Sequence, residues 1–522
     1  MNRRKFVKLS ALAGMASALP GCIMDSLDYE LTKEYEAIVI GTGFGGAVSA
    51  LRLGQAGVKT ALIERGRSWL QHDFSPFLPP NKKAAWKSKQ FTIPLVNLTM
   101  PLEEYTGILE EHHHPNMSIY NAAGVGGGSL AFGGTFVTPA QSIFEYVFPS
   151  EVNYDDMVTN YYSKVANLIN ISHIPDDIYQ SIFYKYARAF KQQIENAGMT
   201  STRLPACYDW DVIRQELNGE LPKDFLHGDG MFGYSHNGKK SLDKNYIPQA
   251  IHTGNVDLYS LHEAIRIEDL GNDGYKITLD QLAENGMTIR TKQFTCKYLF
   301  LCAGTPNTIK ILLRSKHNGD LPAVNSQVGK GFGTNGKTFF RRSIRENTGS
   351  YTAFVPAEGV YEVDNPITPV FVEAIPQPIS LIIPGFDLKS IFNVGLGVTD
   401  YRGSFEYNPD TDQLDLEWSS NGVDKVIDAV KNWCDRVNSN NEGSFTDSLI
   451  IQDQFSKNVT YHPLGGCVIG QATDDYGRLE GYQNFYINDS TLIPGLVGGN
   501  PAFTVGALAE RNIDHIIRND IA

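Results

Sequence analysis

The sequence predicts an α/β protein built on a Rossmann-like parallel sheet, with a second domain beside it. Three observations predict it. Residues 36–64 read as strand, glycine turn, helix and strand. A second glycine-rich stretch follows at residues 124–134. The apolar run Lys297 to Ala303 ends on Gly304-Thr305-Pro306, as a buried parallel strand would. A chain of 522 residues exceeds what a single core usually holds and requires at least two domains. The net charge of −13 argues against nucleic-acid binding.

The first unit begins with the apolar strand Glu36 to Ile40 and turns at Gly41-Thr42-Gly43-Phe44-Gly45-Gly46. A helix is expected from Ala47 to Gly57, then a strand from Lys59 to Ile63 that ends on Glu64. Gly41, Gly43 and Gly46 match the G-x-G-x-x-G spacing, whose glycines serve a tight turn, a close approach of backbone to pyrophosphate, and close helix packing. The helix N-terminus offers free N–H groups to phosphate. Glu64 stands where an acid binds a ribose 2′-OH, which favours NAD or FAD over NADP. The glycines of residues 124–134 leave side chains out where something flat or anionic approaches backbone. Val125, Leu130, Phe132 and Phe136 are too apolar for a solvated linker, so this stretch is expected to form a second wall of the dinucleotide site.

The N-terminus reads as a targeting segment. Arg3-Arg4-Lys5-Phe6 is a twin-arginine pattern, followed by an apolar run from Leu9 to Leu19 that is too short to span a bilayer. Export to the periplasm or outside the cell is expected. Leu19-Pro20-Gly21-Cys22 is similar to a lipoprotein cleavage box with Cys22 acylated, although its proline favours a plain signal peptide. The later cysteines, Cys207, Cys296, Cys302, Cys434 and Cys467, are scattered, with neither a disulfide framework nor a zinc pattern. His112-His113-His114 is expected in a solvated polar loop, and no metal site is expected.

Three further residues stand out. Glu373 is the one acid in the apolar strand Pro369 to Pro376. It is either on a surface edge strand or paired with a cation such as Arg341 or Arg342, or it is a proton-transfer base in an apolar pocket. His462, in Tyr461-His462-Pro463-Leu464-Gly465-Gly466, is a structural histidine by default. Asn500 with Pro501 reads as an N-cap and N1 pair for a helix from Ala502 to about Arg518, whose N-terminus could also face a flavin ring. An amphipathic helix is expected from Val423 to Val437, with Val426, Val430, Trp433 and Val437 on one face.

These pieces, in this order, resemble the glucose–methanol–choline (GMC) family of FAD oxidoreductases, and within it the bacterial cholesterol-oxidising members that hold FAD non-covalently. The likeness rests on residues 41–48, 124–130, 238–244 and 460–466, with Asn500-Pro501 and residues 507–512. It implies an FAD-binding domain of residues 31–140, 235–315 and 460–522 after an export signal of residues 1–30. Residues 141–234 and 316–459 would form the substrate domain, with an antiparallel sheet and helices. Cofactor contacts are implied at Gly41, Gly43, Phe44, Gly45, Gly46, Glu64, Gly128, Phe132, Gly133, Ala264, Gly304, Asp489 and Ala502.

Catalytic roles are implied for His462 at the substrate hydroxyl, for Glu373 as the base of steroid double-bond isomerisation, and for Asn500 at flavin and substrate. The implied reaction oxidises a 3β-hydroxysteroid to the 3-ketone, reduces dioxygen to hydrogen peroxide, and moves the double bond from 5-ene to 4-ene. Two positions depart from the pattern: Phe132 stands where those members have asparagine, and Ala502 where they have phenylalanine. They leave open a GMC dehydrogenase acting on another alcohol with a different acceptor. A sterol carrier with a vestigial flavin site is the alternative outside the enzymes. A monomer that touches membranes peripherally to extract sterol is expected.

Overall fold

The computed structural model describes residues 30–69, 80–93, 98–227, 238–348, 355–376, 389–447 and 457–521. The twin-arginine pattern and Cys22 lie outside the described residues.

The first sheet contains, in chain order, β1 (Glu30–Ile40), β2 (Thr60–Ile63), β3 (Val256–Tyr259), β4 (His262–Asp269), β5 (Tyr275–Leu282) and β6 (Thr288–Leu301). In space they run β3-β2-β1-β6-β5-β4, and the short strand Phe485–Ile487 also pairs with β6. Strands β3, β2, β1 and β6 are parallel, whereas β4, β5 and β6 form an antiparallel meander. The expected run at 297–304 is the C-terminal part of β6, aligned so that Ile40 faces Leu301 across the pair. Ala37 to Ile40 and Thr60 to Ile63 are all buried, which is why these segments read as continuous apolar runs rather than alternating ones.

Helix α1 (Phe44–Gln55) starts three residues before the expected Ala47. Gly45 and Gly46 belong to its first turn rather than to the loop, because the helix presses onto backbone there. A Cβ on Gly45 would fall on the carbonyl oxygen of Asn488, and one on Gly46 on that of Gly41. Helix α2 (Ala502–Ile516) covers α1. Arg52 on α1 donates two bonds of 2.7 Å to the buried Glu510 on α2, and the Tyr246 hydroxyl adds a third at 2.9 Å. The paired geometry and the extra donor are what let a carboxylate remain buried there.

The second sheet contains β7 (Lys337–Ser343), β8 (Glu358–Glu362), β9 (Val370–Ile375), β10 (Ser390–Gly397) and β11 (Phe445–Asp447). Its order is β11-β7-β10-β9-β8, with the strand Thr202–Arg203 beyond β8, and its pairs are antiparallel. One face of this sheet, with Phe340, Val372 and Ala374, packs on the helices Lys185–Asn196 and Asp424–Ser439 through Phe190, Val430 and Trp433. Val426, Val430, Trp433 and Val437 are the buried stripe of the second helix, as its periodicity predicts.

Three expectations need correction. His112 to His114 lie in the strand Leu109–His114, not in a loop. Paired with Met117–Ala122, they alternate between neighbouring acids: His112 bonds Glu110 at 2.9 Å and His113 bonds Glu111 at 2.8 Å. Glu373 is not on an edge, since β9 has a partner on each side. Packing also ignores the expected break at residue 141. Tyr162 and Val165 share the first sheet's core with α2, and the Tyr162 and Thr504 hydroxyls are 2.8 Å apart.

Gly45→Ala should destabilise the protein by about 1–3 kcal/mol, because helix and backbone must separate to admit a methyl group. Urea unfolding would read this as a lower midpoint with an unchanged slope.

Candidate active site

A cavity of about 820 Å³ lies where the carboxyl ends of the first sheet meet the free face of the second. In an open parallel sheet that end is where ligands bind. The strand ends contribute Ile40 and Gly41, Ile63 and Glu64, and Cys302 to Gly304. Gly41 has φ +103°, a left-handed value that turns the chain sharply out of β1. Two glycine regions then meet without side chains between them: a Cβ on Gly127 would lie 2.7 Å from the Cα of Gly43. A Cβ on Gly43 itself would meet nothing within 4 Å. The N-terminus of α1 has no capping side chain and no acid in its first turn, so its N–H groups and positive dipole end are left for an anion. This cradle fits the pyrophosphate of a dinucleotide such as FAD.

Of the expected cofactor contacts, Gly41, Gly43, Phe44, Gly45, Glu64, Gly128, Phe132, Gly133, Ala264, Gly304, Asp489 and Ala502 line the cavity. Gly46 does not; it packs beneath, on Gly41. Glu64 accepts bonds from the N–H groups of Thr42 (3.1 Å), Gly66 (2.8 Å) and Gly124 (3.3 Å), and from the Thr42 hydroxyl at 2.6 Å. It therefore joins the two glycine regions as well as lining the cavity. Both oxygens of Asp489 are also taken: Oδ2 by Gly304 N–H and the Thr308 hydroxyl, Oδ1 by Thr491. Asp489 thus fixes the end of β6 against the start of the helix Asn307–His317.

His462, Glu373 and Asn500, far apart in sequence, all line the same cavity. Strand parity puts Phe371, Glu373 and Ile375 on the face opposite Val372 and Ala374. The rungs continue it: Glu373 faces Val394 on β10, which faces Phe339 on β7. Glu373 is 4 % exposed. Asn500 does not cap α2. Pro501 occupies the cap position, and the Asn500 Nδ2 instead donates to Glu373 Oε2 at 3.1 Å. Arg342 points to the other face, donating to Gln193 and Asn438, and among the described residues Glu373 makes no ion pair within 4 Å. Burial raises the Glu373 carboxyl to about 7, against the lowering effects of Asn500 and of Lys337. Burial, with Lys337 nearby, holds His462 well below its ordinary value, so its ring is neutral at pH 7.

Two site residues carry no sequence signal that singles them out. Asn335 reads as part of an Asn-Gly turn. Its Oδ1 accepts from Val497 N–H (2.8 Å) and Gly498 N–H (3.3 Å), while its Nδ2 donates to the Gly499 carbonyl at 2.7 Å and lies 3.4 Å from His462 Nδ1. One buried amide thus holds the approach to Asn500 beside His462. Lys337 reads as an ordinary charge at the start of a strand, yet it is 4 % exposed and lines the cavity.

Asn335→Leu should cost about 1–3 kcal/mol by leaving those buried groups unbonded. It should also broaden the His462 ring signals in NMR spectra while the rest of the spectrum stays folded.

Profiles of the GMC oxidoreductase family match this chain over residues 335–450 (GMC oxidoreductase, C-terminal) and 400–509 (GMC oxidoreductase). A cholesterol oxidase of Acinetobacter baumannii is 22% identical, covering 92% of this chain and 94% of that protein. A cholesterol oxidase of Mycobacterium tuberculosis is 23% identical, covering 92% and 91%. Among solved structures, pyridoxine 4-oxidase from Mesorbium loti superposes with a TM-score of 0.64 at 14% identity, covering 93% of this chain and 99% of that one. A fungal aryl-alcohol oxidase gives 0.62 at 14% identity, covering 94% and 100%. In its mixed α/β fold, its glycine cradle and these sequence matches the chain is similar to the GMC oxidoreductase family.

Proposed function

We propose that this protein uses FAD to oxidise a 3β-hydroxysteroid to the 3-ketone and then isomerises the 5-ene to the 4-ene. The observation that supports it most is the Glu373 carboxyl: buried on the cavity face of an antiparallel sheet, bonded by Asn500, and raised to about 7. A carboxylate so placed is a base for carbon acids near neutral pH. FAD would supply the hydride acceptor and pass the electrons to dioxygen, giving hydrogen peroxide. Gly41, Gly43 and Gly128 would hold its pyrophosphate, and Glu64 its ribose.

The remaining chemistry belongs to the chain. Neutral His462 orients the substrate hydroxyl, whose proton leaves at that end of the cavity. Glu373 then carries a proton from C4 to C6. The apolar lining of Phe339, Ile375, Phe392 and Val394 excludes water, so the proton is returned rather than exchanged. In this reading the protein is exported by the twin-arginine route and takes its sterol from a membrane surface. A second reading is a dehydrogenase acting on another alcohol with a different electron acceptor. It is favoured by Phe132, whose ring packs edge-on against Phe44 and Phe136 at the cavity wall. Peroxide formation during turnover separates the two.

Gly43→Val should fold but purify without FAD, because its side chain would enter the open cradle. Parent protein should be yellow, with FAD released by acid or heat. Glu373→Gln keeps the shape and removes the basicity. It should still form the unconjugated 5-en-3-one but lose conjugation to the 4-en-3-one by about 10²–10⁴-fold in rate. The ultraviolet absorbance of the conjugated enone checks this. Unchanged conjugation would remove Glu373 from the role, and a parent protein that oxidises no steroid would end the steroid reading.

A further inference from the structure

Lys337 is a buried cation that the reaction described so far does not use. It sits on the same face of the second sheet as Glu373. Lys337 faces Leu396 on β10, which faces Phe371 on β9, one rung of side chains away from the row of Phe339, Val394 and Glu373. Its Nζ lies 4.2 Å from the ring centre of Tyr461 and 4.5 Å from that of Phe339. Among the described residues it has no hydrogen-bond or ion-pair partner, and it lines the cavity. An ammonium group removed from water without a bonding partner is costly, and aromatic faces offset only part of that cost. An ionised carboxylate on the same apolar face is costly for the same reason. Each charge is stabilised by the other across the cavity wall.

We propose that Lys337 is a positioning residue for the isomerisation, its ammonium keeping the Glu373 carboxylate ionised in an apolar wall so that the carboxylate can accept the C4 proton. The proposal rests on the isomerisation reading above. In that step the C4–H bond breaks and an O–H bond forms on Glu373, while the electron pair moves into a dienolate. The O–H bond then breaks, a C6–H bond forms, and the double bond moves into conjugation with the ketone. Neither oxidant nor reductant is consumed.

Other groups surround the carboxyl. Asn500 precedes α2, His462 follows the strand Val459–Thr460, Tyr361 comes from β8, and Tyr186 from the helix Lys185–Asn196. Arg341 shares the sheet face by parity, beside Phe392 and Ile375. Of these, only Asn500 joins Lys337 in favouring the charged carboxyl. Burial in turn lowers the Lys337 ammonium to about 7, with Glu373 opposing that shift. Removing the cation should therefore raise the Glu373 midpoint, and the fraction ionised at neutral pH should fall.

The test uses the purified flavoprotein and two readouts. The first is infrared titration of the Glu373 carboxyl, assigned by its loss in Glu373→Gln, which requires no steroid. Lys337→Met should move the midpoint up by about one pH unit, and Lys337→Arg should leave it near the parent value. The second is conversion of an added 5-en-3-one steroid to the 4-en-3-one. Its rate in Lys337→Met should fall about tenfold below the midpoint and recover at higher pH. Met for a buried Lys removes a desolvated charge, so folding should survive; Lys337→Gln serves where it does not. An unmoved carboxyl midpoint overturns the proposal, as does an equal shift in Lys337→Arg. A shifted midpoint with an unshifted isomerisation profile also overturns it. A parent protein that converts no 5-en-3-one refutes the isomerisation reading, an outcome distinguishable because the infrared titration is still measurable.

Discussion

The structure depends on backbone packing directly against backbone at Gly41–Gly46. Side chains are absent there on three sides at once: towards Cys302 and the end of β6, towards Asn488, and towards Gly127. Because nothing projects, three chain segments separated by tens to hundreds of residues converge on one turn. Polar atoms then hold them together. The Thr42 hydroxyl donates to Glu64 and accepts from the Gly126 N–H at 3.1 Å, and the Asn488 amide reaches Ser49 at 2.9 Å. The cradle and the core under it are therefore one feature. Substitutions that fill the turn disturb packing on one side and ligand space on the other, depending on which glycine is changed.

The second sheet answers a different constraint. Strand parity gives it one face for the helices and one for the cavity. On the helix face, Val372 and Ala374 meet Val430 and Trp433. On the cavity face the apolar lining is broken by the carboxyl of Glu373 and the ammonium of Lys337, with Arg341 on the same face by parity. Charges in such a setting cost stability, and perturbed buried groups of this kind cluster at functional sites. Asn335 supplies the positional counterpart. A single amide anchors the Val497–Gly499 turn beside His462, so the geometry of Asn500 and His462 depends on a residue from β7's leading turn.

The family likeness and the chemistry stand on different footings. Family profiles match residues 335–450 and 400–509, a relative at 22% identity covers 92% of the chain, and the fold agrees with solved oxidases at low identity. The substrate is a proposal argued from the cavity, in which the buried Glu373 carboxyl is the group that an isomerisation would require and a simple alcohol oxidation would not.

The sequence by itself determined the first sheet's central unit and the composition of the cradle, because both are local. Glycine spacing, continuous apolar strands and an acid at the end of β2 follow directly from residue order. It also marked Glu373, His462 and Asn500, through an acid among apolar residues and through family resemblance. Tertiary structure alone decided which face Glu373 takes, since alternation fixes two faces without saying which one is roofed by helices. It decided that Asn500 bonds Glu373 rather than capping α2, because that partner lies 127 positions away. It placed His112–His114 in a strand, where pairing with Met117–Ala122 overrides their polar character. Asn335 and Lys337 had no local signature at all. Their significance comes from what packs around them, and burial of a polar group is set by the whole fold rather than by its neighbours in the chain.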